Sequence, residues 1–380
     1  MQQKIMGVSG VYPRPSCQER GVFARELYAE MVRQGAEVSV VAPYALTRAL
    51  VEAFKSPARD DELSAQSPAL SVCRPLWWSW STRIAPRPIA HRANLRNLSQ
   101  SVQRTVESLP RPDWVSAYFF DAGCASLSAF GQKVPVYVEI GESNFGAYEH
   151  FMGRSEIGSW LKRFAGVIAV SRSNLDLVRQ YADLGQAAFC LENGVDTARF
   201  RPGDRRQART FLGLPQDAFI VGFTGAFIER KGSLRLLAAL GKTPDAFGLF
   251  MGRGPQMPRG ERVLHAGPVS NEKLPAMLAA CDIFCLPSLA EGLSVAVLEA
   301  AACGLPLIVS DRPFSRAFLD DRHALFVDPL SPDSIAEGIK LLMTSSVKRR
   351  ETATACRLMA EDHSLARRVT RLFEIVSHRG

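Results

Sequence analysis

The chain has 380 residues, more than one hydrophobic core ordinarily serves, so two domains are expected. Apolar residues make up 47% and charged residues 22%, a globular composition that excludes disordered and fibrous classes. The net charge is +8, no apolar run approaches the roughly 18 residues that span a bilayer, and the N-terminal MQQKIMGVSG is too poor in apolar residues for a signal peptide, so a cytoplasmic protein is expected.

From the N-terminus the pattern predicts a strand over 4–9, a loop over 10–18, an amphipathic helix over 19–33 and a strand over 37–42. No G-x-G-x-x-G follows the first strand, which argues against a dinucleotide cofactor. Residues 43–111 read as irregular and basic. Between 71 and 111 seven Arg face one acidic residue, Glu107, and Trp77, Trp78 and Trp80 sit in the same stretch. The stretch reads equally as a cationic, aromatic surface suited to anionic headgroups or pyrophosphates and as a Pro-broken loop whose tryptophans pack on their own domain; nucleic acid is not expected, since no nucleic-acid fold motif accompanies the charge.

Strands are predicted over 114–119, 134–140 and 166–170. Turn residues and a Pro-Gly pair over 192–204 mark a hinge. Alternation then resumes: strand 219–224, helix 233–240, strands 247–251 and 262–265, helix 271–280 and strand 283–286. The expected fold class is α/β, two doubly wound Rossmann-like domains facing across a cleft. The first spans 1–194, the second 195–361, with a C-terminal helix at about 362–380 packing back on the first. Eight scattered cysteines without a C-x2-C pair read as reduced, mostly core residues.

Two loops of the second half carry chemistry. In VGFTGAFIERKGSLRLL, Gly225 ends a strand and Arg230, Lys231 and Gly232 precede a helix. Cations there stand over the sheet's carboxyl edge, where helix N–H groups and a basic side chain together hold a diphosphate. In LPSLAEGLSVAVLEAAACGLP, Glu291 lies in a loop and Glu299 follows in a helix starting near Ser294. Backbone N–H groups from Gly292 through Leu293 and Ser294 to Val295 would face an anion, while the two carboxylates accept hydrogen bonds from hydroxyls beside it. An anion flanked by polyols describes a nucleotide-sugar. Read in isolation, the two glutamates are better explained as a helix-dipole partner and a solvated face residue; the motifs around them reverse that.

NGVD (193–196), the RKG loop, HAGPV (265–269), LPSLAEG (286–292) and LEAAACGLP (298–306) together resemble glycosyltransferase family 4, GT-B-fold, retaining, nucleotide-sugar-dependent enzymes, in the branch that assembles bacterial surface polysaccharides, lipopolysaccharide among them. The resemblance implies that Lys231 binds the donor diphosphate with Arg230 assisting, Glu299 the ribose and Glu291 the donor sugar, and that backbone near Val269 meets the base. It implies a donor nucleotide-diphosphate-sugar and a hydroxyl acceptor; no D-x-D is present and cations and amides can meet the diphosphate's charge, so no obligatory cofactor or metal is expected, and the basic, tryptophan-bearing loop suggests a glycan or lipid-diphosphate-linked acceptor with peripheral attachment to an anionic inner-membrane face.

Three positions depart from the family pattern. Ser16 and Cys17 stand where many members carry Gly-Gly, Ala226 where many carry Arg, and Gly141-Glu142 where many carry His. Ser16, Cys17, Gly141, Glu142, Trp77 and Trp78 are therefore the acceptor-side candidates, with Glu142 available to orient or deprotonate the acceptor hydroxyl or to cap a helix. Two other functions remain open at this point: a regulatory protein that binds the nucleotide-sugar without transfer, and a GT-B-like nucleotide-sugar epimerase.

Overall fold

In a computed structural model, which describes residues 2–14, 21–47, 69–80, 86–142 and 145–378, the βα alternation resolves into two parallel sheets. The chain divides into a first unit, 1–192 with 369–380, and a second, 193–368.

The first unit's seven-stranded sheet runs in the order Leu70–Cys73, Glu37–Val41, Lys4–Ser9, Trp114–Tyr118, Val136–Ile140, Gly166–Ala169, Ala188–Cys190, with every pairing parallel. All residues of Trp114–Tyr118 and Val136–Ile140 are buried, as expected of parallel strands covered on both faces. Chain order reverses at Lys4–Ser9, so a ligand crevice is expected beyond its carboxyl end.

The basic region is not irregular throughout. Leu70–Cys73 extends the sheet, Leu76–Trp77 pairs with Tyr44–Ala45, and Arg87–Val106 is a 20-residue helix. Its apolar stripe is thin, with only Ala90 and Val102 fully buried. Arginine, asparagine and glutamine fill the remaining turns and hide the period from a hydrophobic count. Pro88 occupies its first turn, where a missing N–H costs nothing.

The second unit's six-stranded sheet runs Val263–Gly267, Ala246–Met251, Phe219–Thr224, Ile283–Leu286, Leu307–Ser310, Ala324–Val327, again all parallel. Phe223, Phe250 and Phe284 are fully buried in its core. Its reversal point is Phe219–Thr224 beside Ile283–Leu286. The loops leaving these neighbouring strands are the RKG loop and the Glu291 loop, so topology alone brings the two motifs side by side.

The last helix, Leu365–Ser377, starts in the second unit and passes to the first at Val369, where Phe373 meets Trp114 edge-on at 6.4 Å. Among the described residues no helix is long and apolar enough to cross a membrane. The seven described cysteines are free and five of them are buried.

Candidate active site

After Phe219–Thr224 the chain turns through Gly225 and Ala226 into a short 3-10 turn, Glu229–Lys231, and then the helix Ser233–Leu240. Gly232 makes the junction at φ 81°, a left-handed conformation natural to glycine. A Cβ there would lie 2.5 Å from the Pro287 carbonyl oxygen, so the two loops touch backbone to backbone. Leu289 N–H donates to the Arg230 carbonyl at 2.7 Å, and Arg235 Nη2 donates to the Pro287 carbonyl at 3.0 Å. From the other side, Asn193 Nδ2 donates to the Leu293 carbonyl at 3.0 Å. Arg235 was not singled out by motif reading, and its only signal was its place one turn into the helix after RKG.

This frame brings Lys231 onto Glu291. Lys231 Nζ donates to Glu291 Oε2 at 2.9 Å and lies 2.7 Å from Oε1; Arg230 Nη1 lies 3.3 Å from Oε1 and donates to the Ala290 carbonyl at 2.5 Å. The lysine and glutamate side chains are 15% and 11% exposed, so the pair is shielded but reachable. Two cations thus converge on one carboxylate.

Beyond Glu291 the helix Val295–Ala302 begins at Ser294, whose side chain makes no cap bond. The backbone N–H groups of Gly292, Leu293, Ser294 and Val295 have no partner among the described residues. They are orphan donors of the kind that hold anions, with the positive end of the helix dipole behind them. Glu299 is buried within that helix at 7% exposure. Gly225 and half-buried Val269 lie at the carboxyl ends of their strands on the same sheet. Ala226 is exposed at the loop's start.

The first unit holds a pocket of about 420 Å³ at the carboxyl ends of its strands, with Ser9, Gly10, Ala42 and Tyr118 among its lining. Trp77 and Glu142 line it as well. Trp78 does not; it is 55% exposed, because side chains alternate along this extended segment and Leu76, Trp78 and Trp80 project outward. Gly141 adjoins Glu142 behind the pocket, packed near Phe119 and Val170. Ser16 and Cys17 lie outside the described residues.

Glu142 caps the helix Phe120–Phe130, accepting from Phe120 N–H at 2.7 Å and Gly141 N–H at 3.0 Å. Burial pushes its carboxyl up to about 7, and the two N–H donors pull against that rise. Phe119, preceding that helix, has φ 77°, a backbone conformation that costs on the order of 1–3 kcal/mol in a residue with a side chain. Sequence reading missed His91, Asp121 and Arg14, which line the same pocket, and counted Arg74, which lines it too, only as one arginine of the basic stretch. His91 hid in the helix read as irregular; its partners on the pocket face, Asn94, Leu95 and Leu98, follow at helical spacing and were the available signal.

Residues 204–359 match the family model described as glycosyl transferases group 1. Over 365 residues the chain is 25% identical to the putative teichuronic acid biosynthesis glycosyltransferase TuaC of Bacillus subtilis, covering 92% of each. Among solved structures, sucrose-phosphate synthase of Thermosynechococcus elongatus superposes with a TM-score of 0.80 at 18% identity, over 99% of both chains. Anabaena HepE, in complex with UDP and glucose, superposes at 0.73 and 19%, over 99% of this chain and 100% of that one. Both similarities establish the fold class, GT-B, with two Rossmann-like domains.

Proposed function

We propose that the chain, a transferase of GT-B fold whose residues 204–359 match the group 1 glycosyl transferase model, moves a sugar, with retention, from a nucleotide-diphosphate-sugar to a hydroxyl of a glycan or lipid-linked acceptor in bacterial surface-polysaccharide synthesis. The observation that carries this reading is the convergence of Arg230 and Lys231 beside the unpartnered amides Gly292 to Val295. The kinship with a teichuronic acid glycosyltransferase and the UDP held by a structural neighbour support the polymer class and the donor class.

In this mechanism the bond between the anomeric carbon and the diphosphate oxygen breaks while the acceptor oxygen bonds to that carbon from the same face. The acceptor proton passes to the departing phosphate. Lys231, Arg230 and the helix amides lower the barrier by stabilising the charge that grows on the diphosphate. Glu291, released from Lys231 as the diphosphate takes the lysine, accepts from hydroxyls of the sugar, and Glu299 holds the ribose. Gly225 leaves room for the diphosphate, and backbone near Val269 contacts the base. Glu142, Gly141 and Trp77 serve the acceptor side, together with Ser16 and Cys17, whereas Trp78 faces away from the pocket.

The test is a panel of nucleotide-sugars with polysaccharide-intermediate acceptors, the product's anomeric configuration read by NMR. Retained configuration is expected, with full activity in excess chelator. Nucleotide binding without turnover, or sugar isomerised with no acceptor present, would favour the regulatory or the epimerase alternative.

A further inference from the structure

Beside the Glu291 loop the second unit holds a small notch of about 30 Å³ at the carboxyl ends of the neighbouring strands Ile283–Leu286 and Leu307–Ser310. Glu291 and Gly292 border it, and Val297, Val309, Phe318 and Leu319 give it an apolar wall. That wall is held in place. The Phe318 ring meets His363 edge-on at 4.8 Å, and His363 Nδ1 lies 2.8 Å from the Met359 carbonyl oxygen.

Ser288 lines the notch as well and is 1% exposed. Its Oγ is shut off from solvent and has no hydrogen-bond partner among the described residues. Its backbone is fixed, because Ser310 Oγ donates to the Ser288 carbonyl at 2.5 Å. A buried hydroxyl is costly to leave unmade, so an occupant that brings an acceptor gains from it. The size and the walls limit what that occupant is. A single water takes roughly 10–15 Å³ and asks for two to four polar partners; the notch is larger than that, at about 30 Å³, and mostly aliphatic and aromatic. One apolar group beside one hydrogen-bond acceptor fits both facts: a methyl against Val297, Val309 and Phe318, and a carbonyl oxygen accepting from Ser288 Oγ. Those two groups side by side are an acetyl.

We propose that the donor sugar carries an acetamido group and that this notch reads it, Ser288 donating to the acyl carbonyl while Val297, Val309 and Phe318 enclose the methyl. The proposal rests on the transferase reading, in which Glu291 accepts from hydroxyls of the donor sugar, and deepens it by naming the class of sugar transferred. Because Glu291 borders the notch, a substituent on the ring carbon next to the gripped hydroxyl is the part of the sugar brought to it.

The full-length chain is titrated by calorimetry with UDP, UDP-glucose, UDP-N-acetylglucosamine and UDP-N-acetylgalactosamine, uridine being the base held by the structural neighbour. At least one acetamido donor is expected to bind about tenfold or more tightly than UDP-glucose, within the range that a small apolar group in a fitted pocket commands. Ser288→Ala, which removes the hydroxyl, and Val297→Ile, which fills the notch with a further methyl, are each expected to erase most of that preference. UDP affinity of both variants stays at the wild-type level, which shows that they fold and keep the diphosphate site; should one fail to fold, the other carries the test. The proposal is overturned if UDP-glucose binds as tightly as both acetamido donors, or if the preference survives in the folded variants. A preference for UDP-glucose that Ser288→Ala erases would overturn it too, since the notch would then take a hydroxymethyl group. Failure of UDP itself to bind would overturn the donor reading and this proposal with it, an outcome distinct from equal binding of the sugars.

Discussion

Lys231 and Glu291, 60 residues apart in sequence, form a 2.9 Å ion-paired hydrogen bond that closes the RKG loop onto the loop after the neighbouring strand. The two residues assigned to donor diphosphate and donor sugar therefore hold each other before a donor arrives. A diphosphate must take the lysine away from the carboxylate, so the two substitutions act oppositely on binding. Lys231→Ala is expected to weaken nucleoside diphosphate binding at least tenfold and to lower kcat roughly 10²- to 10³-fold, the usual cost of one preorganised donor. Glu291→Gln should leave that binding unchanged or tighter while still lowering turnover, because the competing charge is gone and the sugar contact is impaired. Equal weakening of binding by both variants, measured by calorimetry, would show the pair to be a structural strut only.

Gly232 gives a second, purely geometric prediction. At φ 81° with its Cβ position 2.5 Å from the Pro287 carbonyl oxygen, an alanine meets both backbone strain and a clash. Gly232→Ala is expected to destabilise the second unit by about 2 kcal/mol or more. It should also push the two loops apart, so nucleoside diphosphate affinity falls even at temperatures where the variant is folded. Denaturant unfolding together with calorimetry checks both; unchanged affinity in the folded variant would mean that the loop contact does not position Lys231.

Much of the second unit was legible because its motifs sit on strands that form continuous apolar runs, such as Phe219–Thr224 and Ile283–Leu286, whose bounds the pattern gave directly. Loops leaving adjacent parallel strands must meet, so RKG and Glu291 were neighbours by topology. The ion pair itself was not legible, since no spacing rule links residues on different strands. The first unit's pocket was largely hidden. Its wall is the polar helix Arg87–Val106, which reveals His91 only once the helix is known, and Arg14 and Arg74 sit over the rings of Tyr44 and Tyr12, each distant from its arginine in sequence.

Glu142 makes the first unit's stability depend on pH. Its carboxyl is raised to about 7 from an ordinary 4.5, chiefly by burial. Between those values the folded chain binds the proton and the unfolded chain does not, so stability falls as pH rises. The contribution is fully present below the unfolded value and is lost as pH climbs through about 7, by up to about 3 kcal/mol. Glutamine stays neutral throughout. The melting temperature of wild type relative to Glu142→Gln should therefore fall steadily from pH 5 to pH 8, and a difference that stays flat across that range would refute the shift.

The outward face of the same pocket wall carries the membrane reading. Leu76, Trp78, Trp80 and Ile89 are 56%, 55%, 48% and 63% exposed, and Arg87, Arg92, Arg96 and Arg104 are exposed on the adjoining helix. Asn97 Nδ2 donates to the Trp78 carbonyl at 2.8 Å and Ser101 Oγ to the Leu76 carbonyl at 3.1 Å, so segment and helix form one surface. Large exposed rings beside cations suit an anionic lipid interface, where each basic side chain adds about 1 kcal/mol and each ring partitions into the headgroup layer. Vesicles rich in phosphatidylglycerol are expected to bind the chain, neutral vesicles much less. Raising salt should weaken binding through the arginines. A double Trp78→Ala and Trp80→Ala variant should lose roughly tenfold in vesicle affinity with nucleoside diphosphate binding unaffected. If the double variant sediments with anionic vesicles as well as wild type does, the tryptophan face is not the contact.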